Sequence, residues 1–132
     1  MEGDRLFVDT RTKILTPPAL ASLDPPRPLL LAVGRFDILR LEAVRDLAAA
    51  RQRTGAGSLM VALRPFEGEL VPLAARAEMA AALRVVDYVL LAGNEDLESL
   101  AASLQPIDII DMEEADAHRA RQLIEHVHSR RT

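Results

Sequence analysis

The chain has 132 residues, 20 acidic against 16 basic, and a formal net charge of −4. That length suits one domain with a core of useful size, and 49% hydrophobic with 27% charged residues excludes a disordered chain. No apolar run approaches the roughly 20 residues that cross a bilayer. The opening MEGDRLFVDTRT has no apolar signal-peptide core, and without Cys there is no disulfide, thiolate or Cys-based metal site, so a cytoplasmic protein with no membrane partner is expected.

Residues 1–28 read as an arm. Thr16-Pro17-Pro18 and Asp24-Pro25-Pro26-Arg27-Pro28 interrupt regular structure, with one helical turn over Ala19 to Leu23 between them and Pro18 near its start. Residues 29–132 read as the domain. Leu29-Leu30-Leu31-Ala32-Val33, ended by Gly34, is a short continuous apolar run of the kind that forms a strand covered on both faces. Leu39, Ala43, Leu47 and Ala50 recur at helical spacing through Arg53, and Thr54-Gly55-Ala56-Gly57 stops that helix. Leu59 to Leu63 is a second strand, and Pro72 opens a second helix running to about Leu83. Val85 to Leu91 is a third strand closed by Gly93-Asn94, and Asp96 to Leu104 a third helix with Leu97, Leu100, Ala101 and Leu104 on one face. Ile107 to Ile110 is a fourth strand. A last helix runs from Glu113 to about Arg130, acidic first and arginine-rich late, matching the helix dipole. Strands alternating with helices predict a Rossmann-like three-layer α/β sandwich on a parallel sheet of about four strands.

Ligands of such sheets bind beyond the carboxyl ends of the strands, near the switch in strand order. The loops that matter are therefore Gly34 to Arg40, Arg64 to Val71, Ala92 to Asp96 and Asp111 to Asp116. Gly34-Arg35-Phe36-Asp37 leads into a helix, whose free N–H groups make an anion site that Arg35 and Arg40 would strengthen. The plainer reading is an ordinary β-α turn with Asp37 as helix cap and Phe36 in the core, since Gly-x-Gly-x-x-Gly is absent. The basic residues are 15 Arg and the single Lys13, and there are only four aromatics. An acidic chain so poor in aromatics offers no stacking surface for nucleic acid, and no such partner is expected. His118, His126 and His128 form no i, i+4 pair, so no metal site is expected from them. Asp108, Asp111, Glu113, Glu114 and Asp116 read as a solvated strand end and helix start.

Gly34-Arg35-Phe36-Asp37-Ile38-Leu39-Arg40-Leu41-Glu42-Ala43 resembles the Gly-x-Phe-Asp-x-x-His-x-Gly-His signature of cytidylyltransferase-like nucleotidyltransferases, and most of all heptose-1-phosphate adenylyltransferase domains. Thr12-Lys13-Ile14-Leu15 with Ala19 to Leu23 is similar to the segment preceding that domain. Val71-Pro72, Arg76-Ala77-Glu78 and Ala81 to Val89 are similar to its second helix and third strand, and Leu97 to Ile110 to its third helix and fourth strand. The resemblance runs to about residue 111, and its weight lies in the combination.

The resemblance implies transfer of a nucleotidyl group from a nucleoside triphosphate, with Mg2+, to a sugar or alcohol phosphate, catalysed by electrostatic stabilisation. It makes Gly34, Arg35, Phe36, Asp37, Arg40, Arg64 and Arg76 the candidate nucleotide-binding residues, with Arg40 and Arg64 the weak catalytic candidates. It also exposes departures. The two motif histidines are Arg40 and Ala43, the motif glycine is Glu42, and after the second strand Ala62 to Glu67 carries no lysine. Past the fourth strand, a Lys-Gly-Gly-Asp-like turn is replaced by Asp111-Met112-Glu113-Glu114. The last helix either follows that strand or stands for the family's final helix, with Arg119-Ala120-Arg121 at its Ser-Thr-Thr motif. On both alignments about one β-α unit is unmatched.

Three functions follow as expectations. The first is a degenerate nucleotidyltransferase-fold protein that binds phosphate or nucleotide without turnover. The second is an active transferase in which arginines replace the histidines and lysine. The third is a non-catalytic module, a homodimer or the partner of an enzyme, associating through an open sheet edge or the alanine-rich surface of residues 74–82.

Overall fold

The computed structural model describes residues 9–93 and 96–131. Its sheet has five parallel strands in the order β1-β4-β3-β2-β5, with β1 Ile14–Leu15, β2 Leu29–Val33, β3 Ser58–Leu63, β4 Tyr88–Leu91 and β5 Asp108–Asp111. The helices are α1 Pro17–Leu20, α2 Leu41–Thr54, α3 Leu73–Ala81, α4 Leu97–Leu104 and α5 Glu113–Arg131. The Rossmann-like three-layer architecture is the one the alternation predicts. It has one strand more, because Ile14 and Leu15 of the arm pair with Val89 and Leu90 of β4. Lys13 fixes that added strand: its ammonium donates to the carbonyls of Val86 (2.7 Å) and Leu83 (3.2 Å), at the amino-terminal end of the sheet.

Every residue of β2 and β3 is buried. Leu30, Ala32, Leu59, Val61 and Leu63 face α2 and α3, where they meet Leu47, Ala50, Ala77 and Ala80. Leu29, Leu31, Val33, Met60 and Ala62 face the other layer, with Leu100 and Leu104 of α4 and Leu20 and Leu23 of the arm. Side chains alternate between faces along a strand, and with both faces covered the sequence shows an unbroken apolar run. Ala77, Ala80 and Ala81 of α3 are buried in this core. The small-residue surface expected to suit a second chain is thus largely spent on the protein's own sheet. At the β5 edge, Asp108 and Asp111 are exposed, and charge of this kind discourages pairing with another strand.

Several boundaries shift for local reasons. The third strand begins at Tyr88 rather than Val85: the Val86 amide turns back to the Leu83 carbonyl (3.1 Å), and at Asp87 the carboxylate, not the backbone carbonyl, accepts from the Leu59 amide (2.9 Å) while pairing with Arg51 (2.8 Å). α2 ends as expected at Gly55, whose φ of 66° only glycine adopts without strain. α1 starts at Pro17, two residues before the expected turn, and α3 at Leu73, one after Pro72.

α4 starts one residue later than expected, with Asp96 as its cap. Asp96 Oδ1 accepts from the Ser99 amide at 2.7 Å, and this bond holds the carboxyl below the usual carboxylate range. A group whose value is depressed by folding adds stability that is present above its unfolded value and lost as pH falls through the folded one. Thermal melts of the chain and of Asp96→Asn should therefore converge in acid, below about pH 4. A difference between the two that stays constant into acid would remove the charge from the cap's role.

Candidate functional site

From β2 the chain runs to β3 and β4 on one side, then crosses to β5 on the other, so the switch point lies between β2 and β5. Gly34 to Arg40 leave β2 there, Arg64 to Val71 leave β3, and Met112 leads from β5 into α5. Asn94, in the loop after β4, lies outside the described residues, as do residues 1–8 and the side chains of Arg119, Ala120, His128, Arg130 and Arg131.

Gly34 is required by a close approach. A Cβ there would stand 2.9 Å from Asp116 Oδ2 of α5 and 2.9 Å from the Phe36 ring. Phe36 takes the left-handed conformation (φ 53°) and buries its ring against the α2 layer; the backbone strain of about 1–3 kcal/mol is offset by that burial. The Arg35 amide, the group a phosphate would be expected to take, donates instead to Asp116 Oδ2 at 2.8 Å. Asp116 is buried, and the turn holds an anion that the chain itself supplies. Gly34→Ala is expected to cost about 1–3 kcal/mol by overpacking, read as a fall in the denaturation midpoint. A change too small to measure would mean that the Asp116 carboxylate and the Phe36 ring both move aside at little cost.

Asp37 does not cap the helix. Its carboxylate accepts from the next amide, Ile38 (3.0 Å), and α2 begins only at Leu41, after the extended Arg40. The turn and the helix N-terminus, expected to act together, are therefore separated along the chain. Arg40 is exposed and makes no side-chain cap bond.

The other arginines have protein partners. Arg64 forms a two-pronged pair with Glu113 of α5, one prong from Nε to Oε2 at 3.3 Å and the other from Nη2 to Oε1; this bond holds the guanidinium above its usual range. Arg76 is completely buried. It pairs with Glu69 (2.7 Å) and donates to the carbonyls of Val71 (3.1 Å), Arg35 (3.1 Å) and Arg64 (3.3 Å). It ties the loops after β2 and β3 together, and it is not exposed to a ligand as the resemblance implied. Phe66 carries two cations over its ring, with Arg35 3.9 Å and Arg76 4.7 Å from the ring centre.

The switch point thus brings together Gly34, Arg35, Phe36, Asp37, Arg64 and Arg76, with Arg40 at its rim. Sequence reasoning missed the carboxylates that meet them, Asp116, Glu113 and Glu69. A signal existed: Glu113 and Asp116 lie three apart, on one face of a helix's first turn. Arg35, Asp37 and Phe66 face Ala117, Arg121 and Ile124 of α5 across a cleft of about 170 Å³. That is below the roughly 300–1,000 Å³ of ordinary small-molecule sites. A wider cleft of about 430 Å³ lies elsewhere, between the Pro17 to Arg27 segment and α4. Arginine is no proton donor at neutral pH, so the guanidinium groups can clamp an anion but do not act as general acids. Among the described residues no three His, Asp or Glu side chains could hold a metal ion, and no helix is long and apolar enough to cross a membrane.

Fold and site define a doubly wound α/β protein whose switch-point turn is occupied by the carboxylate of Asp116. No protein-family model matches the chain, and no curated protein is significantly similar to it.

Proposed function

We propose that this chain is a degenerate nucleotidyltransferase-fold protein that performs no turnover. The observation that carries the reading is the Arg35 amide bound to Asp116, since the group that would hold a triphosphate already holds a carboxylate. The sequence supports it. Gly34, Phe36 and Asp37 keep the turn, while Glu42 and Ala43 replace a glycine and a histidine. Losing one such donor typically costs about 10²–10³ in rate. Lys13 is no substitute for the lysine missing after β3, because its ammonium is engaged at the opposite end of the sheet. Incubation with ATP or CTP, Mg2+ and a panel of sugar phosphates is expected to release no pyrophosphate above the protein-free blank. Release that Arg40→Ala abolishes would replace this reading with that of an active, arginine-dependent transferase.

One observation favours a second reading, a partner-binding module. Leu70, Leu123, Ile124 and Val127 are all exposed, and Leu70 and Ile124 line the same cleft. Exposed apolar groups that share a cleft, as Leu70 and Ile124 do, suit a protein partner or a second copy. Light scattering at micromolar concentration tests the second copy, and a strict monomer removes it.

A further inference from the structure

We propose that the acidic first turn of α5 is a displaceable plug, an internal ligand in the place of a phosphoryl anion, and that α5 gates the turn at Gly34 and Arg35. The proposal deepens the reading above, on which it rests for the class of anion. Two carboxylates from successive positions on one helix face enter the switch point together. Asp116 takes the Arg35 amide at 2.8 Å, and Glu113 takes the Arg64 guanidinium through both of its oxygens. These donors are of the kind that bind phosphoryl oxygens, a backbone N–H and a fork of guanidinium N–H groups.

The rest of α5 does little to hold it there. Met112, Asp116 and Ala117 are buried, but from His118 onward every described side chain is exposed, Leu123, Ile124 and Val127 included. A helix held by its first turn, with so little buried apolar surface beyond, belongs to the parts of a protein that open at low cost. Displacing the turn would remove two negative charges from beside Arg35 and Arg64 and leave the amide and the guanidinium facing the vacated space. The fit at Gly34 makes the arrangement specific, because any side chain there would strike Asp116 Oδ2.

The test uses the full chain carrying Glu113→Gln and Asp116→Asn, which removes both charges and keeps side chains of similar size. Circular dichroism establishes that the variant is folded, and calorimetry titrates it with sodium triphosphate, ATP and CTP. The folded double variant is expected to bind triphosphate at least about tenfold more tightly than the intact chain, the gain shrinking in salt as unscreened charge requires. Equal affinity for ATP and triphosphate places recognition in the phosphate chain, and tighter ATP binding adds the base; either supports the gate. A folded double variant that binds no better than the intact chain overturns it. Should that variant unfold, Glu113→Gln alone, which removes the charge paired with Arg64, must show a severalfold gain, and unchanged affinity overturns the proposal. Pyrophosphate release by the intact chain would overturn the no-turnover reading and leave the gate standing, whereas an absent gain in binding overturns the gate and leaves that reading intact.

Discussion

Arg76→Ala is expected to lower the free energy of unfolding by about 3–5 kcal/mol, the range for breaking a buried ion pair from one side. The guanidinium is completely buried, and its loss strands the Glu69 carboxylate together with the carbonyls of Val71, Arg35 and Arg64. It also removes one of the two cations stacked on Phe66. Glu69 is a third exposed and recovers part of its hydration, so the larger share of the loss is assigned to the three carbonyls, which lose bonds to a charged donor. Arg76→Met combined with Glu69→Gln should recover only part of the stability, because it relieves the lone charge and leaves the carbonyls unmet. Urea denaturation of the three proteins measures this. A loss below about 1 kcal/mol for Arg76→Ala would show that water or another side chain takes over its bonds.

Leu31→Ala is expected to cost about 2–5 kcal/mol by the same measurement. Leu31 sits in the middle of β2, between β3 and β5, and is completely buried toward the α4 layer. The cost sums lost transfer of the isobutyl group and the cavity left behind, and neighbours on a central strand have little room to collapse into it. A loss under about 1 kcal/mol would mean that the thin layer of α4 and the arm relaxes inward. The two substitutions also differ at the site. Leu31→Ala leaves the switch-point bonds in place, whereas Arg76→Ala unties Arg64 and Val71 from Arg35.

These two residues mark how far the sequence could be read. Leu31 is legible, since an unbroken apolar run ended by glycine has one natural home, a strand covered on both sides. Arg76 is not. On an alanine-rich helix it has the look of an exposed or ligand-facing cation, and nothing local says that the carbonyls of Arg64 and Arg35 converge on it with that of Val71. β1 was missed for a similar reason: two residues in a proline-rich arm carry no period, and they become a strand only because β4 offers a free edge. Asp87 shows the converse. The apolar run around it predicts a longer strand, and a distant amide and Arg51 claim its carboxylate instead.

The sequence by itself determined the layers and most of the elements of this protein, because hydrophobic periodicity and helix stops act over a few residues and are written where they act. It also located the turn at Gly34 to Asp37. Only the tertiary structure decided what that turn holds. Asp116 and Arg35 are 81 positions apart, and Glu113 and Arg64 49 apart. Such pairings depend on which strand ends the crossover brings together, and charge alone does not specify a partner at that separation. The turn reads in sequence as an empty anion site. In the folded chain its anion is Asp116.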